Sequence, residues 1–130
     1  MQEVYDFLKK CGMYFLATAE GDQPRVRPFG TIDIFEGGLY IQTGRGKDVA
    51  RQMNENPKVE LCGFSDGKWI RVTAEAALDD NLAAETHMLD AHPELKAMYQ
   101  PGDGNTGVYR LSNGTAVVSS FTEPPVTYTF

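Results

Sequence analysis

Two stretches of this chain, Arg25-Val26-Arg27-Pro28 and Thr43-Gly44-Arg45-Gly46-Lys47, gather cations around a glycine-flanked loop. Side chains at i and i+2 of a strand share a face and lie roughly 6–7 Å apart, so Arg25 and Arg27 point together. A guanidinium grips phosphate oxygens with two parallel hydrogen bonds. The loop adds the Thr43 hydroxyl and open backbone N–H groups. It leads into a predicted helix over 47–56, whose first turn offers further N–H donors and a partial positive charge. The chemistry this suits is the holding of a dianionic phosphate. The same residues also fit a solvated strand face and an ordinary surface turn, and charge placement alone does not separate the two readings. A nucleotide-hydrolase P-loop is excluded: it needs Gly where Ile41 stands and Ser or Thr where Asp48 stands.

The charge distribution sharpens the question. The 130-residue chain carries a net charge of −6. Residues 24–71 hold eight basic and six acidic groups, and the remainder holds four basic and twelve acidic ones. An acidic total argues against a nucleic-acid binder. A positive island inside an acidic chain points to a small anionic ligand. No run is apolar enough to cross a membrane, and the N-terminal segment lacks the pattern of a secretion signal. Cys11 and Cys62 sit in apolar surroundings and read as buried free thiols of a cytoplasmic protein.

The elements that position the cations follow from periodicity. Val4, Phe7, Leu8 and Cys11 form one helical face ended by Gly12. Strands are expected at 13–19, 24–36, 39–43, 58–64, 68–78, 108–111 and 115–120, with turns at 20–22, Gly37-Gly38 and 65–67. Helices are expected at 47–56, from Asp79-Asp80 to about Ala91 with Leu82 and Leu89 on one side, and after His92-Pro93. Residues 101–107 read as a loop. The whole, 1–130, is one domain, mainly β with peripheral helices, a small antiparallel barrel.

The chain resembles the pyridoxamine 5′-phosphate oxidase-like, FMN-binding split-barrel proteins. The signals are Arg25 to Gly30, Leu39 to Thr43, Lys47 to Gln52, Asn56 to Leu61 and Trp69 to Val72, in that order and spacing. The resemblance implies a six-stranded antiparallel split β-barrel of the FMN-binding type. It also implies a homodimer, with FMN in a cleft between subunits. It places Arg25, Val26, Arg27 and Pro28 along the flavin, with Arg27 near the phosphate end. Gln42 and Thr43 would bond flavin or phosphate, and Lys47 the phosphate. Trp69 would lie near the cofactor or the dimer seam, and Arg45 joins the set by proximity. The implied activity is that of an oxidoreductase acting on a small substrate the sequence does not specify. The alternative is a carrier or sensor without turnover, since some relatives bind haem or the deazaflavin F420. Two departures set the chain apart from true pyridoxamine phosphate oxidases. Its loop is the short Gly44-Arg45-Gly46-Lys47, and its tail, 121–130, has no Arg or Lys.

Other chemistry finds little support. His87 and His92 are five apart and do not stack on one helix face. They read as a surface histidine and a helix cap rather than metal ligands, since zinc wants three or four. Met53, Met88 and Met98 read as packing.

Overall fold

The computed structural model describes residues 1–130. In chain order the elements are α1 (Gln2–Cys11), β1 (Tyr14–Glu20), β2 (Gln23–Phe29), β3 (Asp33–Phe35), β4 (Gly38–Gly44), α2 (Asp48–Glu55), β5 (Lys58–Ser65) and β6 (Lys68–Leu78). They are followed by α3 (Leu82–Ala91), a short 3-10 helix (Pro93–Ala97), β7 (Thr106–Ser120) and β8 (Val126–Thr129). All strand pairs are antiparallel, in the order β2-β1-β5-β6-β7-β4-β3, with β8 added beside β7. The fold is a mainly β, antiparallel split barrel with peripheral helices.

Alternation sets the inner face. Ile70, Val72, Ala74 and Ala76 of β6 point inward, as do Leu16 of β1, Leu61 of β5, and Leu39 and Ile41 of β4. Each fully buried Leu or Ile contributes roughly 1.5–3 kcal/mol. Helix α1 adds Val4 and Leu8 to this core, and α2 adds Val49, Ala50 and Met53. Helix α3 packs elsewhere, with Ala84 and Met88 against Tyr40 and Val108. Asn81 caps it by accepting hydrogen bonds from the N–H groups of Ala83 and Ala84. No helix is long and apolar enough to cross a membrane.

Several expectations shift. The predicted strand 24–36 breaks at residues 30–32, where Ile32 turns into the core and Thr31 bonds back to the Gln42 backbone. Val26, opposite Ala17 on the outward side of β2, is 67% exposed. The strands predicted at 108–111 and 115–120 are one. Asn113 and Gly114 form a bulge opposite Ala74, through which the strand continues. With β3 and β8 the sheet has eight strands rather than six. Leu82 is exposed, not paired with buried Leu89. Cys62 is also exposed, because Leu61 and Gly63 take the inward face of β5, and Cys11 is half-buried; both are free thiols. Met98 is exposed too, whereas Met53 and Met88 are core.

The β3–β4 hairpin turns at Glu36-Gly37, not Gly37-Gly38. Both turn residues have positive φ, 46° and 73°, the two-residue turn that matches strand twist. Gly38 begins β4, and a Cβ there would stand 2.8 Å from the Arg110 guanidinium. Gly37→Ala is expected to lower stability by about 1 kcal/mol. A urea titration followed by far-ultraviolet circular dichroism checks this, and an unshifted midpoint would contradict it.

Candidate functional site

Strand β2 pairs with β1 so that Arg25 lies opposite Thr18 and Arg27 opposite Leu16. Thr18 and Leu16 are buried, so both arginines leave β2 on its inward side, beside α2. They meet Lys47 there. A cavity of about 510 Å³ is lined by Arg25, Val26, Arg27, Lys47 and the first residues of α2, with Glu20 and Gln52.

These cations are in different electrostatic states. Arg25 is paired with Glu20 at 2.9 Å, and the same carboxylate accepts from Arg51 at 2.6 Å. Hydrogen bonds from Arg51 and then Arg25 hold Glu20 down to about 2. The stability gained from this cluster is therefore full above the ordinary carboxylate range and is lost as pH falls from about 4.5 toward 2. Arg27 has no carboxylate within ion-pair distance. Its guanidinium donates to the Thr18 hydroxyl at 2.7 Å, the Gln52 side-chain oxygen at 2.6 Å and the Leu16 carbonyl at 3.3 Å. Thr18 also donates to that Gln52 oxygen, so the fork is held by neutral partners on two elements. Burial pushes the Arg27 guanidinium below its ordinary value; Asp48 acts in the opposite sense, and Arg25 adds to the lowering. A half-buried cation held by neutral groups gains most from an anion brought to it.

Lys47 caps α2 with its carbonyl, which accepts from the N–H groups of Ala50 and Arg51. Its ammonium forms no ion pair. It lines the cavity and also a smaller recess of about 180 Å³, shared with Pro28, Phe29, Thr31, Gln42, Thr43, Leu95, Met98 and Tyr99. In this recess the Gln42 side chain donates to Thr106 at 3.1 Å and to the Thr43 carbonyl at 3.3 Å.

Seven of the nine residues singled out by sequence thus line two spaces that share Lys47: Arg25, Val26 and Arg27 stand with it in the cavity, and Pro28, Gln42 and Thr43 stand with it in the recess. Two lie apart. Arg45 turns away, its guanidinium bound to Asp80 at 3.1 Å, buried Glu85 at 3.2 Å and the Thr106 carbonyl at 2.9 Å. These bonds direct the Arg45 guanidinium toward α3. Trp69 stands on the outer sheet face, its ring 5.1 Å from that of Phe121, in a separate hollow with Glu60 and Arg71. The segment after α3, with Leu95, Met98 and Tyr99, contributes to the recess without any advance signal, since no spacing rule marks a lone Tyr before a Pro-Gly loop.

A profile of the pyridoxamine 5′-phosphate oxidase family matches residues 1–112. The chain belongs to that family. Within the family fold it is 43% identical to a NimC/NimA family protein of Clostridium acetobutylicum, covering 100% of this chain and 92% of that one with a TM-score of 0.97. General stress protein 26 of Bacillus anthracis shares the fold at 16% identity and a TM-score of 0.78, over 99% and 97% of the two chains. HutZ, a haem storage protein of Vibrio cholerae, shares it at 17% identity and 0.63, over 85% and 87%. No curated protein matches the chain.

Proposed function

We propose that this member of the family is an FMN-binding flavoprotein and an oxidoreductase, working as a homodimer. The observation that carries this is Arg27, a half-buried guanidinium without a carboxylate, facing the same groove as the unpaired ammonium of Lys47. These residues fit a phosphate monoester: two cations, a helix start with open N–H groups, and a hydroxyl at Thr43. Arg27 and Lys47 would hold the phosphate, and the β2 backbone at Val26 and Pro28 would run along the rest of the nucleotide. FMN when bound supplies the electron-transfer chemistry, and the protein supplies position and field.

The dimer rests on the outer sheet face. Phe15, Val26 and Phe64 are 51–67% exposed, and Phe121 is 94% exposed. Trp69 lies on the same face. A small barrel covers such surface by pairing, and the partner copy would bring its own Trp69 toward the groove.

Haem carriage, the role named for HutZ, would have only two histidines to draw on, and both are engaged in the fold. His92 is buried, accepts the Ile32 N–H at Nε2 and donates from Nδ1 to the Met88 carbonyl. The Nε2 of His87 is bound to Asp33 at 2.9 Å.

The protein as purified is expected to show flavin absorption, and the stripped protein to bind added FMN at micromolar concentration with riboflavin much weaker. Absence of binding to the stripped, folded protein would overturn the proposal, and a Soret band or a deazaflavin spectrum would replace it.

A further inference from the structure

Two hydroxyls in the recess beside Lys47 have no partner in the protein. Tyr99 is 8% exposed and Thr43 5%. Neither Tyr99 Oη nor Thr43 Oγ1 makes a hydrogen bond, yet no sealed polar side-chain atom in the molecule goes unpaired. Each hydroxyl therefore reaches solvent, and both residues line the recess. Tyr99 is brought there by the 3-10 helix, with its N–H bonded to the Leu95 carbonyl at 2.9 Å. Its hydroxyl lies against Gly44: a Cβ on Gly44 would stand 2.9 Å from Tyr99 Oη and 3.6 Å from Cγ of Lys47. The phenol tip and the lysine stem thus flank one backbone position, which accommodates them because it carries no side chain.

A lysine ammonium and two hydroxyls, none matched by the protein, are three donors among the residues that line one small recess. The occupant they fit is a compact oxyanion, which accepts on every oxygen. A neutral apolar occupant would leave all three unmet. We infer that Tyr99 is a phosphate-binding residue, its hydroxyl completing with Thr43 and Lys47 the cradle for the phosphate end of the flavin nucleotide. This rests on the flavin reading above and adds to it a donor from the segment after α3. It also gives Gly44 a reason: any side chain there would displace the phenol.

Tyr99→Phe keeps the ring and removes only the donor. A hydrogen bond to a charged group corresponds to about ten-fold in affinity. FMN should therefore bind Tyr99→Phe about ten-fold more weakly than wild type, with riboflavin unchanged and the melting temperature of the apoprotein preserved. Gly44→Ala should mimic this loss, and adding it to Tyr99→Phe should weaken FMN little further. An unchanged FMN-to-riboflavin ratio in a folded Tyr99→Phe protein would overturn the inference. Inorganic phosphate separates it from the flavin reading. If wild type bound neither flavin but phosphate raised its melting temperature more than that of Tyr99→Phe, the cradle would stand and FMN would fall. Equal response of the two proteins to phosphate would sink the role of Tyr99 whatever the nucleotide.

Discussion

Arg27→Ala combined with Lys47→Ala is expected to weaken FMN about 100- to 1000-fold while leaving the weaker binding of riboflavin nearly unchanged. Each charge-assisted contact to phosphate contributes about 1.5–3 kcal/mol, and two of them at the lower end of that range give roughly 3–4 kcal/mol when no carboxylate remains to compete. Arg27 has the larger share of this effect. Its fork is already aimed, since Thr18 and Gln52 hold it before any ligand arrives, so little side-chain entropy is lost on binding. Arg27→Lys keeps the charge but not the planar fork and should fall between wild type and Ala. Fluorescence titration with both ligands checks the pair, with circular dichroism to confirm folding. Equal loss of FMN and riboflavin would show that the two side chains hold something other than phosphate.

Glu85→Ala is expected to be the most damaging single change outside the apolar core. The Glu85 carboxylate is nearly buried, pairs with Arg45 at 3.2 Å and accepts the Gly102 N–H at 2.9 Å. Removing it strands a buried donor and half-frees Arg45, which still has Asp80. The expected cost is about 2–3 kcal/mol, a melting temperature lower by roughly 5–10 °C. Glu85→Gln keeps an acceptor for Gly102 and should lose about half as much. Because Arg45 ties the Gly44–Lys47 loop to α3, and Gly102 follows Tyr99 closely, FMN affinity should fall as well. Differential scanning calorimetry and proteolysis at the 101–105 loop measure the first effect. A melting temperature equal to wild type would show that Arg45 and Asp80 suffice without Glu85.

What the sequence made legible follows from how local each signal is. Strand β6 stands at the predicted residues 68–78, because β-branched and small residues alternate and Asp66-Gly67 fixes the turn before it. Helix α1 was readable from one apolar stripe and its terminal glycine. The cation groove was readable because i, i+2 spacing on β2 and the loop before α2 are short-range patterns. The losses are long-range. Asn113-Gly114 looks like a turn in isolation and becomes a bulge only because β6 continues alongside it. Strand β8 exists only because β7 is there to pair with, and Pro124-Pro125 concealed it. Nothing near Arg45 in sequence reveals that Glu85, forty residues on, pairs with it. Nor does anything near Tyr99 in sequence place it beside Gly44.

The order of the strands adds a consequence. Strand β2, which carries Arg27, is the first in the sheet, while Lys47 follows β4, next to last. No backbone ladder joins those two borders of the split barrel. An anion gripped by both side chains would tie together two borders that the peptide hydrogen bonds connect only the long way round the sheet. Ligand release and opening of that split would then be coupled equilibria, each setting the energetic cost of the other.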